Sequence, residues 1–225
     1  MSTTENTGPL SHRTDAAYEE DLPGCGRLRL VQVAPGEDVD LIHGWVSEER
    51  ARFWGMGSHT PSQIQEIYEF LDGLDTHHAY LIELAGEPMG LFQTYEPLHD
   101  PIGEAYPALP GDIGMHLLLA PASRHIPNFT PVLVSALIRF MFSDPAKDRI
   151  IVEPDARNAK AVKRLRATCF ELGPIIKLAE KDGQLAYLKR TRFEAVARAE
   201  AVARAEAVRA SAAASAPASA PDSVG

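Results

Sequence analysis

The chain has 225 residues, of which 45% are hydrophobic and 24% are charged, a composition typical of one globular domain with a single core. Its formal net charge of −9 argues against nucleic acid or an anionic membrane as the main partner. The sequence contains no apolar run of the ~18 residues that a membrane-spanning helix needs, and residues 1–20 contain no apolar signal segment. These features predict a cytoplasmic protein.

The cysteines and histidines predict neither a disulfide framework nor a metal site. Cys25 and Cys169 lie far apart and outside any CxxC pattern, which is typical of free thiols in a reducing compartment. His77, His78 and His99 lack the spacing of metal ligands. We therefore expect no metal cofactor.

The two ends of the chain differ in composition from its middle. Residues 1–25 are polar and acidic, which predicts a disordered leader before a globular domain at 26–193. The remainder, 194–225, is Ala-rich. Over 193–210 a short motif of strong helix formers is nearly repeated, which predicts either a solvated helix or a helix that binds a partner. The Ser/Ala/Pro-rich end at 211–225 is expected to be disordered. Deletion of the leader and of this end is expected to leave folding unchanged.

Between these ends the hydrophobic period alternates between that of strands and that of helices. The Thr60-Pro61 pair marks a helix start, because threonine caps the first turn and proline suits the first helical position. The expected elements are, in chain order, a strand at 27–33, helices at 36–53 and 61–74, a hairpin at 79–96, a strand at 113–120, a helix at 131–142, a strand at 149–154, a helix at 158–170, and strands near 174–178 and 184–190. A hairpin followed by a β-α-β crossover predicts an α/β fold, with a mixed sheet and helices on both of its faces.

Four segments of this pattern resemble one enzyme family. They are GDIGMHLLL at 111–119, RIIVEPDARN at 149–158, FWGM at 53–56 and QTYEP at 93–97. Together with the order of elements, they resemble the GNAT-superfamily acyltransferases of hydroxamate siderophore biosynthesis, most of all the desferrioxamine-type members. The resemblance spans about residues 26–193 and implies the GNAT fold.

The activity that this resemblance implies is acyl transfer without a metal. The acyl-CoA co-substrate would be acetyl-CoA or succinyl-CoA. The acceptor would be a small-molecule hydroxylamine, N-hydroxycadaverine or N6-hydroxylysine in type, and the product a hydroxamate used in iron acquisition.

The resemblance also implies where acyl-CoA binds. Backbone amides of the strand at 117–119 would face the thioester, and Asn158 matches the asparagine that such enzymes direct towards the pantetheine arm. The segment RHIPNFTP at 124–131 replaces a glycine-rich pyrophosphate loop but contains no glycine, and its prolines offer the phosphates no N–H donor. The candidate cofactor-binding residues are Leu117, Leu118, Leu119, Asn128, Phe129 and Asn158.

Acyl transfer to a nitrogen needs a base that removes the proton of the nucleophile. His116 is the candidate base, because an imidazole in the middle of an apolar strand is costly to bury unless it is paired or used. Glu153 and Asp155 alternate onto one face of the neighbouring strand, where either carboxylate is placed to orient the imidazole.

Each of these three residues has an alternative role. His116 is alternatively a hydrogen-bonded structural histidine, and Asp155 alternatively caps the start of the next helix. In mycobactin-type enzymes the position that matches Glu153 resembles a catalytic aspartate, so glutamate departs from that pattern.

Trp54, Gln93 and Tyr95 are the candidates for the acceptor pocket. Trp54 lies in the loop between the first two helices, and the other two share one face of a strand. Trp54 is alternatively part of the core, as aromatic residues near helix ends often are. The arginines and lysines within 149–166 either border the anionic CoA or form a solvated basic face.

Two other functions fit the sequence. An aminoglycoside 6'-N-acetyltransferase has the same order of elements and a similar Gln-x-Tyr segment, but such enzymes resemble this chain less at His116, where they carry an aspartate. A non-catalytic GNAT module that binds acyl-CoA or a partner is favoured by the glycine-free loop. The sequence leaves the oligomeric state open.

Overall fold

Eight strands form one sheet in the computed structural model, which describes residues 13–121, 126–166 and 168–214. The strands are β1 (Tyr18–Leu22), β2 (Gly26–Gln32), β3 (His77–Leu84), β4 (Glu87–Tyr95), β5 (Asp112–Leu119), β6 (Arg149–Val152), β7 (Glu171–Lys177) and β8 (Asp182–Lys189). Their spatial order is β1-β2-β3-β4-β5-β6-β8-β7. The pair β5–β6 is parallel, and every other neighbouring pair is antiparallel.

The described residues also form five α-helices, none of which is long and apolar enough to cross a membrane. The helices are α1 (Pro35–Val46), α2 (Pro61–Asp72), α3 (Phe129–Met141), α4 (Ala159–Arg166) and α5 (Arg190–Ala214). Helix α2 begins where the sequence predicts: Thr60 Oγ1 accepts from the Gln63 backbone N–H at 3.3 Å, and Gln63 Oε1 accepts from the Thr60 backbone N–H at 2.9 Å. This reciprocal capping box satisfies donors that the first turn leaves unpaired.

Helices cover both faces of the sheet, which confirms the predicted α/β architecture. On one face, Ile42 of α1 and Ile64 of α2 pack in a cluster with Leu91 of β4. On the other face, Leu133 of α3 packs in a cluster with Phe92 of the same strand. Successive residues of a strand point to opposite faces, so Leu91 and Phe92 of β4 each pack into the core layer on one face of the sheet.

Strands β5 and β6 separate soon after they meet. They pair at Asp112–Gly114 against Arg149–Ile151, whereas β4 remains paired with β5 as far as Leu119. After β6 the chain turns towards β8, where the Gln184 backbone N–H donates to the Pro154 carbonyl at 2.8 Å. The second half of β5 therefore faces a gap instead of a partner strand.

The N-terminal boundary predicted from the sequence is wrong. Tyr18–Leu22 is a strand that pairs with β2, so the folded domain begins before Gly26. The segment YEEDL is too acidic to be recognised as a strand, but cations on neighbouring elements balance its charge, as where Arg139 donates to Glu20 at 2.6 Å. Residues 1–12 of the expected leader lie outside the described residues.

Three helix ends also differ from the sequence predictions. Helix α1 stops at Val46, and a separate 3-10 turn at Glu49–Trp54 ends in Gly55, whose φ of +86° suits only glycine well. Helix α4 stops at Arg166. Helix α5 continues to Ala214, into the segment predicted to be disordered, and residues 215–225 lie outside the described residues.

Deletion of residues 1–25 is expected to lower the free energy of unfolding by about 3–5 kcal/mol, because it removes the buried Leu22 and Cys25 and exposes the edge of β2. Deletion of residues 201–225, which has the same length, is the control. Its expected cost is below ~1 kcal/mol, since the described side chains after Phe193 are exposed. Urea denaturation of both truncated proteins measures the difference, and equal costs would contradict a structural role for β1.

Candidate active site

A cavity of about 610 Å³ opens at the gap between β5 and β6. The second half of β5 forms one wall, and the residues that follow β6 form another. The loop between α1 and α2 and one side of α4 complete it. Its lining includes Arg50, Phe53, Trp54, Met56, Gln93, His116, Glu153, Asp155, Asn158, Lys160, Arg164 and Lys181.

His116 and Glu153 form a hydrogen-bonded pair in this cavity. His116 Nε2 lies 2.6 Å from Glu153 Oε1. The His116 side chain is 40% exposed, whereas that of Glu153 is 4% exposed. The imidazole is therefore open to the cavity, and the carboxylate lies behind it.

Glu153 receives two further donors from elsewhere in the chain. Tyr95 Oη donates to Glu153 Oε2 at 2.7 Å, and Lys181 Nζ donates to Oε1 at 3.3 Å. Burial raises the pKa of Glu153, but the nearby charges of His116 and Lys181 and the hydrogen bonds from His116 and Tyr95 outweigh burial and lower this pKa to about 2. Glu153 is therefore a carboxylate at neutral pH.

The ionised carboxylate assigns the tautomer of His116. A carboxylate only accepts hydrogen bonds, so the short contact places a proton on His116 Nε2. In the neutral imidazole, Nδ1 then carries the basic lone pair. The rings of Tyr95 and Trp54 flank the imidazole, with centroids 5.1 Å and 6.1 Å from it. This arrangement is suited to accept a proton at Nδ1 and to stabilise the resulting charge through Glu153.

Tyr95 lies behind the pair and not in the acceptor pocket, where the sequence predicts it. Its side chain is buried and crosses Gly114, the residue opposite it on β5. A Cβ atom at Gly114 would lie 2.0 Å from the Tyr95 ring, so glycine is required there. Burial and the charge of Glu153 raise the pKa of Tyr95 well above its usual range, which keeps its hydroxyl a donor.

Trp54 and Gln93 line the cavity, as expected for an acceptor pocket. Gln93 faces His116 across the β4–β5 ladder, and its Nε2 donates to Tyr68 Oη at 3.2 Å. Trp54 is held at the end of the 3-10 turn and meets the His116 ring edge-on. Both side chains therefore border the space next to the imidazole.

Asp155 lines the cavity, but its hydrogen bonds go to Arg157 and not to His116. It accepts from the Arg157 backbone N–H at 2.8 Å and from the Arg157 guanidinium at 2.6 Å. These hydrogen bonds lower the pKa of Asp155. Asp155 thus closes the turn before α4, and Glu153 is the carboxylate that meets the histidine. The alternative role of Asp155 as the cap of the helix belongs instead to Asn158.

The predicted cofactor-binding residues fall into two groups. Residues 117–119 and Asn158 line the cavity, and Asn158 Oδ1 also accepts from the Ala161 backbone N–H at 3.1 Å, which caps α4. Asn128 and Phe129 begin α3 outside the cavity lining, with Asn128 at a φ of +55° and Phe129 packed against the core. Residues 122–125 of their loop lie outside the described residues.

Two cationic side chains of the site were missed by the sequence analysis. Lys181 reaches Glu153 from the turn between β7 and β8. Arg50 lies in the loop after α1, and its guanidinium donates to the Leu119 carbonyl. Neither residue lies in a recognisable motif. Both reach the cavity through contacts with residues distant in sequence, so the local pattern could not reveal them. Among the described residues, no group of His, Cys, Asp and Glu side chains is arranged to hold a metal ion.

The family of the chain follows from a sequence match over most of this fold. Residues 34–178 match the family described as acetyltransferase (GNAT) domain. The chain therefore belongs to the GNAT acetyltransferases. It is an enzyme of the class that transfers an acyl group from acyl-CoA to a nitrogen.

The relatives of this chain include enzymes that act on different acceptors. An aminoglycoside N(6')-acetyltransferase type 1 of Serratia marcescens is 27% identical over 72% of this chain and 83% of its own length. An N-hydroxyputrescine acetyltransferase of Acinetobacter baumannii is also 27% identical, over 70% of this chain and 75% of its own length. Among solved structures, aminoglycoside acetyltransferase AAC(6')-Ib in complex with coenzyme A superposes with a TM-score of 0.64 at 26% identity, over 74% of this chain and 97% of that one.

Replacement of Glu153 by glutamine is expected to lower the free energy of unfolding at pH 7 by about 3 kcal/mol. The folded-state pKa of Glu153 is lowered from 4.5 to about 2. The carboxylate therefore stabilises the fold above pH 4.5, and this contribution is lost as the pH falls towards 2. Urea denaturation measures the free energy of unfolding of wild type and E153Q at pH 7 and pH 3. The difference between the two proteins is expected to be smaller at pH 3.

The control for this prediction is Glu171→Gln, since Glu171 is an exposed carboxylate paired with Arg192. Glu171→Gln is expected to change the free energy of unfolding by less than ~1 kcal/mol at both pH values. A Glu153→Gln effect that does not change with pH would show that Glu153 acts through packing alone.

Proposed function

We propose that this enzyme transfers an acetyl or succinyl group from acyl-CoA to the nitrogen of an N-hydroxylated amine and so forms a hydroxamate, as in siderophore biosynthesis. The observation that carries the proposal is the contact of 2.6 Å between His116 and Glu153 in the cavity beside the splayed strand β5. A histidine oriented by an ionised carboxylate suits removal of a single proton from a weakly basic nucleophile.

Two features of the cavity support binding of acyl-CoA. Residues 117–119 pair with β4 on one side and border the gap on the other, where β5 has no partner strand, so peptide groups that point into the gap can meet an extended pantetheine arm. Lys160 and Arg164 of α4 are exposed at the cavity and supply positive charge for phosphates. These residues would hold the co-substrate, which brings the thioester carbonyl towards His116.

In this mechanism Nδ1 of His116 accepts the proton of the attacking nitrogen, directly or through a water molecule, as the nitrogen bonds to the thioester carbonyl carbon. The C–S bond then breaks, and the sulfur of coenzyme A leaves as a thiolate that takes up a proton. Glu153 holds Nε2 and stabilises the imidazolium as it forms. Tyr95 keeps its hydrogen bond to the second carboxylate oxygen throughout. Trp54 and Gln93 border the acceptor beside the imidazole.

The charges around the cavity favour a weakly charged acceptor. Within the described part of the chain, the carboxylates that line it are Glu153 and Asp155, and both are already paired with cations. A polycationic aminoglycoside would instead be favoured by several carboxylates available to pair with its amines. N-hydroxylation lowers the basicity of an amine, so a hydroxylamine is largely uncharged near neutral pH.

Aminoglycoside 6'-N-acetylation is the second candidate function. It is supported by relatives that are as similar in sequence as the N-hydroxyputrescine acetyltransferase. The two functions share the acyl-CoA site and differ in the charge and size of the acceptor.

A comparison of acceptors tests the choice between these functions. With acetyl-CoA or succinyl-CoA, kcat/KM is expected to be at least about tenfold higher for N-hydroxycadaverine or N6-hydroxylysine than for cadaverine or lysine, since less deprotonation is needed. Thiol release measures the rates, and mass spectrometry identifies the hydroxamate. Values for kanamycin equal to or above those for the hydroxylamines would assign the aminoglycoside function instead.

Replacement of His116 by alanine tests the proposed base. A general base contributes ~10²–10⁴-fold, so kcat is expected to fall by about that factor while the affinity for acyl-CoA changes little. His99→Ala is the control, because His99 is 59% exposed and lies outside the cavity. If His116→Ala keeps the wild-type kcat but melts at a lower temperature, then the histidine is structural.

A further inference from the structure

Lys181 contacts the carboxylate that orients His116, but the proposed mechanism gives this lysine no role. Its Nζ lies 3.3 Å from Glu153 Oε1, the same oxygen that His116 Nε2 contacts at 2.6 Å. The Lys181 side chain is 16% exposed although it carries a charge and lines the cavity. Of the lysines and arginines that line the cavity, Lys181 is the one that contacts Glu153 in the described structure.

Backbone contacts fix Lys181 relative to Glu153. The turn that carries it is closed by the Leu178 backbone N–H, which donates to the Lys181 carbonyl at 2.9 Å. The backbone carbonyl of the next residue, Asp182, accepts from the Ala156 backbone N–H at 2.8 Å. This hydrogen bond joins the hairpin to the segment after β6. A Cβ atom at Gly183 would lie 3.3 Å from the Cβ of Glu153, so the two segments are in close contact.

The charge of Lys181 changes what Glu153 offers to an acceptor. The charged and titratable groups around this point are Glu153, His116 of β5, Tyr95 of β4 and Asp155, whose charge Lys181 also partly balances. A carboxylate without Lys181 would attract the ammonium group of an ordinary amine into the place of the nucleophile. With Lys181 in place, Glu153 still accepts from His116, but the charge of Lys181 offsets much of the attraction of the carboxylate for a further cation at the position of the reacting nitrogen.

We propose that Lys181 is a specificity-determining and positioning residue, which holds Glu153 for His116 and disfavours acceptors whose reacting nitrogen is protonated. The site thereby selects a hydroxylamine over the alkylammonium ion of the same skeleton. This inference rests on the proposed function for the identity of the acceptor. The charge discrimination itself is a property of the site, and it is measurable without turnover.

The experiment compares the binding of cadaverine and N-hydroxycadaverine, which differ at the reacting nitrogen. Isothermal titration calorimetry with the full chain and saturating coenzyme A measures both affinities in wild type, Lys181→Gln and Lys181→Arg. Lys181→Gln keeps a hydrogen-bond donor but removes the charge. It is expected to bind cadaverine about tenfold more tightly than wild type does, which corresponds to about 1.4 kcal/mol, and to bind N-hydroxycadaverine within about twofold of wild type.

Two controls separate charge from structure. Lys181→Arg retains the charge and is expected to keep the wild-type ratio of affinities. Lys177→Gln removes the same charge from the same hairpin, but Lys177 is 82% exposed and pairs with Asp182 outside the cavity, so its ratio should also be that of wild type. In turnover, Lys181→Gln is expected to lower kcat for the hydroxylamine while Lys181→Arg largely restores it.

Three results would overturn the proposal. Lys181→Gln could bind cadaverine no more tightly than wild type does, or it could gain affinity equally for cadaverine and N-hydroxycadaverine. The third is that Lys177→Gln gains the same affinity for cadaverine as Lys181→Gln does. If Lys181→Gln does not fold, Lys181→Met is measured in its place against the same ligands. Failure of the wild type to acylate either N-hydroxycadaverine or N6-hydroxylysine would contradict the proposed function alone. A wild type that acylates it, with no shift of the affinity ratio in the variant, would contradict the role of Lys181 alone.

Discussion

A buried carboxylate that must stay ionised is the constraint on which this site depends. Glu153 is 4% exposed, and burial alone would favour its neutral form. Three donors prevent this: Tyr95 from β4, His116 from β5, and Lys181 from the turn before β8. Each donor comes from a different part of the chain, so the site forms only when the sheet is complete.

The same constraint explains features of the fold that otherwise look incidental. Tyr95 can reach Glu153 only because Gly114 leaves room for its ring across β5. Lys181 can reach it because the segment after β6 turns away from β5 and pairs with the start of β8. That turn also leaves the second half of β5 without a partner strand on the side of β6. One change of strand pairing therefore both supports the carboxylate and opens the cavity.

The GNAT relatives of this chain act on acceptors as different as aminoglycosides and N-hydroxyputrescine at the same sequence identity. Overall similarity therefore does not distinguish the acceptors, and the charges that line the cavity must do so. Among the described residues that line the cavity, those charges are largely cationic, and the carboxylates of Glu153 and Asp155 are already paired. This balance is the physical ground for proposing an uncharged nucleophile, and it depends on residues of the loops and of α4 rather than of the sheet.

The sequence by itself determined the class of fold, most of the strands and helices, and the pairing of His116 with a carboxylate after β6, because hydrophobic period and strand alternation are local properties. It failed at Tyr18–Leu22, where the charges of an acidic strand are balanced by residues distant in sequence. It placed Tyr95 in the acceptor pocket, favoured Glu153 only slightly over Asp155 without deciding between them, and missed Lys181. Only the tertiary structure decided these points, because which carboxylate is buried, and which cation reaches it, depends on how strands far apart in the chain pair and separate.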